Sequence, residues 1–114
     1  MIYKILNQDE WQEFQRAGVF TGSSVDVRDG YIHFSTASQA IQTAEKHFGD
    51  QDNLVLLEVD ELQLDDSLKF EPSRGGDLFP HLYDKLPLEK VSNNWPLPLN
   101  QETGQHDFPP EVVA

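Results

Sequence analysis

The chain has 114 residues and a formal net charge of −12, from 8 lysine and arginine residues against 20 aspartate and glutamate residues. This length predicts one domain, and the acidic excess argues against binding to nucleic acid or to anionic membranes, both of which depend on basic side chains. The absence of cysteine excludes disulfides, a cysteine nucleophile and thiolate metal ligands. With neither a signal pattern nor an apolar span in view, we expect a cytoplasmic protein.

The first half of the chain predicts two helices that alternate with short strands. After a strand pattern at residues 2–6, Asn7 and Glu10 have the spacing of a capping box, which indicates a helix to about Ala17. Residues 21–30 are polar and rich in turn formers, which is typical of a loop. A strand at residues 31–34 then leads into a second helix at about residues 36–48.

The second half is richer in strands and ends in proline-rich sequence. Residues 54–59 form the most apolar stretch and predict a buried, central strand. Residues 67–71 alternate like a strand, residues 71–83 resemble a loop, and a last strand falls within residues 88–95. We expect residues 96–114 to form an extended C-terminal arm on a single domain, frayed at its end. Two principal helices and about five strands indicate an α+β fold.

His33 is the first candidate for chemistry. Strand alternation puts Ile32 and Phe34 on one face, so that His33 points away from the predicted core, beside the start of the second helix. A histidine there could act as general acid or base, or bind a phosphate together with Ser35 and Thr36, either of which can cap the helix. The alternative is a structural histidine bonded to the neighbouring loop.

A glycine-containing loop supplies the second candidate site. Gly75 and Gly76 allow backbone amides to turn toward an anion, and Arg74 could then clamp a phosphate or carboxylate. The alternative is an exposed turn in which Arg74 pairs with Glu71 or Asp77.

His81 and Tyr83 form the third candidate, because alternation after Pro80 projects both side chains to the same side. Together with His33, Arg74 and Glu71 they would provide proton transfer and anion stabilisation in one cleft. We expect no metal site, since no histidine pair has zincin spacing. We assign no site role to the two other histidines, His47 and His106.

Two stretches of the sequence resemble a known family. They are Asp-Gly-Tyr-Ile-His-Phe-Ser-Thr at residues 29–36 and Glu-Pro-Ser-Arg-Gly-Gly-Asp-Leu-Phe-Pro-His-Leu-Tyr at residues 71–83. With the opening strand and Trp11, they look like the bacterial family called domain of unknown function 952. The resemblance covers nearly the whole chain, and the family name implies no established activity.

A more distant resemblance is to ADP-ribosyltransferase-like domains, among them RNA 2′-phosphotransferases, through His-Phe-Ser at residues 33–35 and the apolar strand ending at Asp60. This resemblance implies a split pair of mainly antiparallel sheets with an NAD-type cleft between them. The chain departs from the pattern at Lys4, which stands where the first-strand histidine usually lies. The usual catalytic glutamate matches either Glu71 or Glu89.

Three functions remain open at this stage. The first is an ADP-ribosyl-transfer or NAD-handling enzyme, in which His33 and Arg74 hold the pyrophosphate or ribose. Over all readings, the candidate catalytic residues are His33, His81 and Glu71, and the candidate ligand-binding residues are Ser35, Thr36, Arg74, Gly75, Gly76 and Tyr83. The second is a module that binds a small ligand or a protein without turnover. The third is a phosphoesterase that uses His33 and His81, although Tyr83 stands where that motif requires serine or threonine. The sequence does not decide the cofactor or the oligomeric state.

Overall fold

The computed structural model describes residues 1–113, which form an α+β fold, as the sequence predicted. The strands are β1 (Ile2–Asn7), β2 (Val19–Phe20), β3 (Ile32–His33), β4 (Leu54–Val59), β5 (Leu68–Pro72), β6 (Leu78–Leu82), β7 (Leu86–Pro87) and β8 (Val91–Leu97). The helices are α1 (Gln8–Ala17), α2 (Ser24–Asp29), α3 (Ala37–His47) and α4 (Pro110–Val113). No helix within residues 1–113 is both long and apolar enough to cross a lipid bilayer.

All strand pairs are antiparallel. One sheet has the order β1-β4-β8, a second has the order β3-β6-β5, and β2 pairs with β7. The two three-stranded sheets meet where Tyr3 and Ser35 exchange backbone hydrogen bonds of 2.8 and 2.9 Å. This junction brings β1 and the end of β3 to the same cleft.

Strand β4 lies at the centre of its sheet, and all six of its residues are buried. Alternate side chains point to opposite faces. Val55, Leu57 and Val59 pack in a core that includes Trp11 and Phe14 of α1. The other face, with Leu54 and Leu56, packs against Ala40 and Ala44 of α3. Burial on both faces explains the apolar run at residues 54–57, and the prediction of a central strand is confirmed.

The two principal helices also match the prediction. Asn7 and Glu10 form the expected capping box, with hydrogen bonds of 2.8 and 3.0 Å, and α1 stops where Gly18 takes a left-handed conformation. Thr36 caps α3 through a second capping box with Gln39.

Two predicted loops were wrong. Residues 21–30 contain the short helix α2, in which Asp26 accepts a 2.9 Å hydrogen bond from the backbone of Ser23 and Gly30 closes the end with φ of 86°. Residues 71–83 contain β6, which is the middle strand of its sheet. The glycines and Pro80 suggested a loop, but pairing with strands far away in the sequence makes this segment extended.

The C-terminal segment is more structured than the predicted arm. Strand β8 continues to Leu97, and a turn closed by pairing of Leu99 with His106 follows it. His106 Nε2 lies 2.6 Å from the carbonyl oxygen of Gln51, which is a structural contact. Val112 of α4 is buried in the core beside α3, so the chain is anchored close to its end, and residue 114 of the predicted frayed end lies outside the described residues.

Candidate functional site

A cleft of about 630 Å³ lies where the two three-stranded sheets meet. Side chains from β1, α2, β3, α3 and β6 line it, together with the turn before β6. Its principal polar side chains are Lys4, Asp26, His33, Thr43, Arg74 and His81. The predicted residues His33, Arg74 and His81 therefore lie around one cavity.

His33 reaches the cleft through the predicted alternation of β3. Ile32 and Phe34 are buried, while the His33 side chain is 30% exposed and lines the cleft. Its Nδ1 lies 2.6 Å from Asp26 Oδ1, and its Nε2 lies 3.0 Å from Asp29 Oδ2. Both ring nitrogens are thus occupied by carboxylates of α2.

Asp26 is the most heavily bonded side chain of the site. The Asp26 side chain is buried. Its carboxylate accepts hydrogen bonds from Lys4 Nζ at 3.0 Å and from the backbone N–H groups of Ser23 and His33, and it also pairs with the His33 ring. Burial raises the pKa of Asp26, but the His33 hydrogen bond, the Lys4 charge and the backbone donors outweigh it and hold the pKa well below its usual range. Asp26 is therefore an ionised anchor for Lys4 and His33.

His81 stands directly opposite His33 in the pairing of β3 with β6. Its side chain is 3% exposed, and its Nδ1 lies 2.9 Å from Glu71 Oε1. The ring of Tyr31 stacks on it, with centroids 4.1 Å apart and an angle of 23° between planes. Among the contacts of residues 1–113, His81 Nε2 is buried without a hydrogen-bond partner.

Glu71 lies behind His81 and outside the cleft lining. The same Oε1 accepts from Tyr83 Oη at 2.6 Å and from His81. This hydrogen bond, helped by desolvation and the carboxylate charge, raises the pKa of Tyr83 to about 12. The Tyr83 and His81 hydrogen bonds in turn lower the pKa of Glu71. Glu71 consequently orients His81 and has no direct access to a ligand in the cleft.

Arg74 lines the cleft from the turn before β6. Its Nη2 donates to Thr43 Oγ1 at 3.3 Å, and its guanidinium lies 5.0 Å from the centroid of the Phe79 ring. The other two arginines, Arg16 and Arg28, pair with the carboxylates next to them. Within residues 1–113, Arg74 is the arginine with no carboxylate at ion-pair distance, so it does not make the predicted alternative pair with Glu71 or Asp77.

The remaining predicted ligand residues divide into two groups. Ser35 lines the cleft, and its hydroxyl lies 3.2 Å from that of Thr43. Thr36, Gly75, Gly76 and Tyr83 lie outside the cleft lining. The backbone N–H and hydroxyl of Thr36 serve the α3 cap, and the Gly76 amide closes its own turn at 2.8 Å, so one of the two predicted anion-binding amides is already used. Tyr83 faces the neighbouring hollow beside Tyr31.

The sequence analysis missed the α2 carboxylates and Thr43. A signal for α2 was present, because Ser23 and Asp26 have capping-box spacing and Gly30 follows at a helix end. Asp29 is carried on the same helix. No local signal marked Thr43, an ordinary polar position on α3 whose role depends on the distant Arg74.

In the part of the chain that the structure describes, no group of three histidine or acidic side chains is arranged to hold a metal ion. Glu10 and His47 also line the cleft. The groups best suited to hold an anion or a hydroxyl are the guanidinium of Arg74, the hydroxyls of Ser35 and Thr43, and His81 Nε2, which is buried. This set can bind an anion and exchange a hydrogen bond or proton beside it.

Fold and site together define a small α+β domain with a histidine-lined cleft between two antiparallel sheets. A family model described as protein of unknown function DUF952 matches residues 5–94. The chain belongs to this family, which confirms the resemblance found in the sequence.

Solved structures of a bacterial relative share the fold. The crystal structure of protein CC0527 from Caulobacter crescentus is 43% identical, with a TM-score of 0.92, and the match covers 99% of this chain and 98% of that one. A crystal structure of its double mutant is 42% identical, with the same TM-score and coverage. Its solution NMR structure is 48% identical over 89% of this chain and 87% of that one, with a TM-score of 0.81. No curated protein matches the chain.

Proposed function

We propose that the cleft binds a small phosphate-bearing ligand of the nucleotide or NAD type, with Arg74 as its main anion-binding group. The observation that carries this proposal is the Arg74 guanidinium, which lines the cleft of a protein with net charge −12 without a carboxylate partner among residues 1–113. A cation kept clear of carboxylates in such an acidic chain is a local positive focus. Its planar fork also matches phosphate oxygens.

The surroundings of Arg74 suit the same ligand. The Thr43 hydroxyl lies 3.3 Å from Arg74 Nη2, and the Ser35 hydroxyl lies 3.2 Å from that of Thr43; both are neutral groups that can donate to an anion. The cleft volume of about 630 Å³ lies within the range of roughly 300–1,000 Å³ that small-molecule sites occupy. The residues present therefore fit a nucleotide-sized ligand.

ADP-ribosyl transfer from NAD is the enzymatic form of this proposal. Support comes from the ADP-ribosyltransferase-like sequence features and from the position of the cleft at the junction of two antiparallel sheets. In this arrangement Arg74 would hold the pyrophosphate and His81 would face the ribose. Lys4 departs from the usual histidine, and its ion pair with Asp26 keeps its ammonium away from a ligand.

The phosphoesterase reading has less support. Two-histidine phosphoesterases need a free nitrogen on each ring, and carboxylates occupy both nitrogens of His33. A binding module would use the same anion site as the enzyme, but it would not convert the bound ligand.

Calorimetric titration with ADP-ribose and with inorganic phosphate tests the binding site. Arg74→Ala should weaken ADP-ribose binding roughly tenfold or more, because it removes a charge-assisted hydrogen bond. The matched control is Arg16→Ala, which removes an equal charge on α1 far from the cleft lining and should leave the affinity unchanged. Equal weakening by both variants, or no binding by the parent, would reject the site.

Proton NMR of the protein incubated with NAD separates enzyme from binding module. Release of nicotinamide with transfer of the ADP-ribosyl group to water, which yields ADP-ribose, should persist in Arg16→Ala and disappear in Arg74→Ala, and this result supports transfer chemistry. Binding of ADP-ribose without release of nicotinamide identifies the binding module.

A further inference from the structure

Resting on the proposed phosphate site, we infer that the cleft selects ligands that also carry a free hydroxyl, which donates a hydrogen bond to Nε2 of His81. The chemical class is a phosphate ester with a hydroxyl on the carbon chain next to the phosphate. The inference starts from Nε2 of His81, a residue of the cleft lining, because this nitrogen is buried and has no hydrogen-bond partner in residues 1–113.

The contacts of His81 assign its two nitrogens. An ionised Glu71 carboxylate can only accept, so His81 Nδ1 carries a proton and donates to it at 2.9 Å. In the neutral ring Nε2 is then an acceptor. Stacking by Tyr31 and the shared hydrogen bond of Tyr83 to Glu71 hold this arrangement in place. Nε2 is thus a fixed, buried acceptor on a side chain that lines the cleft.

A buried acceptor without a partner is costly, and a ligand donor removes that cost. His33 offers no equivalent position, because Asp26 and Asp29 occupy both of its nitrogens. Since Ser35, Thr43 and Arg74 are donors toward an anion, His81 Nε2 is the acceptor that complements them. The site therefore favours a ligand that combines an anion with a hydroxyl.

The spacing along β6 sets the distance between the two recognition points. Phe79 and His81 are two residues apart on the same face of the strand, which is about 7 Å at the usual rise. The Arg74 guanidinium lies over the Phe79 ring, so phosphate and hydroxyl would bind at neighbouring positions. A short hydroxylated phosphate ester spans such a distance.

Glycerol 3-phosphate and propyl phosphate form a matched pair of probes, since they share the phosphate and the three-carbon chain and differ in the hydroxyls. By calorimetry the parent should bind glycerol 3-phosphate roughly tenfold more tightly, because a site built to bond a hydroxyl penalises its loss. His81→Phe should abolish the preference. Arg74→Ala should weaken both esters, and His106→Phe, outside the cleft lining, should leave the preference intact.

NMR of the protein with ¹⁵N-labelled histidine keeps the test decisive if His81→Phe does not fold. The chain has four histidines, so each Nε2 signal can be assigned. Glycerol 3-phosphate should move the His81 Nε2 signal, and propyl phosphate should not. Equal affinities of the two esters, or an unmoved His81 signal, would overturn hydroxyl selection, while the ADP-ribose titrations decide the phosphate site separately.

Discussion

His33 and His81 face each other across β3 and β6 with ring centroids 5.5 Å apart, yet their nitrogens differ in availability. Carboxylates of α2 occupy both nitrogens of His33, whereas Glu71 occupies one nitrogen of His81 and Nε2 has no hydrogen-bond partner among residues 1–113. The two histidines therefore have different surroundings: His33 is held by the carboxylates of α2, whereas His81 keeps one nitrogen that a ligand could bind. Mechanisms that need two equivalent histidines fit this site poorly.

Asp26→Asn should destabilise the fold and remove part of its acid sensitivity. The substitution breaks a buried ion pair with Lys4 and the bond to the His33 ring, and loss of one partner of such a pair costs about 3–5 kcal/mol. Because folding depresses the Asp26 pKa, its stabilisation is present at pH values above the ordinary range for aspartate and is lost as the pH falls below about 4.

Urea unfolding at several pH values measures both effects. The stability of the Asp26→Asn variant should fall less steeply below pH 5 than that of the parent. Glu13→Gln is the control, because the exposed pair of Glu13 with Arg16 contributes little. A variant as stable as the parent would contradict the role of Asp26 as an anchor.

Removal of the Glu71 carboxylate should lower the pKa of Tyr83. The chain has three tyrosines, and the pKa values of Tyr83 and Tyr3 are raised to about 12 by hydrogen bonding to Glu71 and by burial next to Glu58, respectively. In Glu71→Ala the Tyr83 pKa should return toward its ordinary value near 10.

Tyrosinate absorbance against pH follows this change. By pH 11 the Glu71→Ala protein should have ionised one more tyrosine than the parent, and adding Tyr83→Phe should remove that extra step. The exposed Glu89, changed to alanine, serves as control. Ionisation of Tyr83 near pH 10 in the parent would show that the hydrogen bond to Glu71 does not form.

Local sequence signals predicted the parts of the fold that local interactions determine. The α1 helix was found because Asn7 and Glu10 cap it and Gly18 ends it, all within one short segment. Strand β6 was missed because Pro80 and the preceding glycines suggest a turn, while the pairing that makes it a strand comes from β3 and β5. Its identity depends on contacts that no local pattern contains.

The same distinction applies to the candidate site. His33 and His81 were predicted to share a cleft from alternation and from their unusual neighbours, and the structure brings them together. The ion pair of Lys4 with Asp26 joins residues 22 positions apart, and nothing near either residue indicates the other. Which nitrogen of each histidine is free depends on such distant carboxylates, so the sequence could not assign the roles of the two rings.

Val112→Ala should show that the C-terminal segment contributes to the core. Val112 is 6% exposed and packs in the cluster that contains Leu97 and Ala44, so loss of two buried methyl groups should cost about 1–2.5 kcal/mol. Its neighbour Val113 is 51% exposed and provides a control of identical chemistry. Urea unfolding of the two variants should differ clearly, and equal stabilities would mean that α4 does not pack in solution as described.

Gly22→Ala should disturb the cleft through Asp26, although Gly22 lies in a loop. A Cβ at Gly22 would stand 2.7 Å from the Cβ of Asp26, and the φ of 117° adds strain of its own. Gly30→Ala is the matched control on the other side of α2, because its φ of 86° is also positive but its Cβ would meet nothing within 4 Å. Gly30→Ala should therefore cost only the left-handed backbone penalty of about 1–2 kcal/mol, and Gly22→Ala should cost more. The Gly22 variant should also shift the ¹⁵N signals of the His33 ring and weaken ADP-ribose binding, since Asp26 must move away from His33 and Lys4. If both variants lose the same stability and leave the His33 signals in place, the close contact between Gly22 and Asp26 does not position the ionic network.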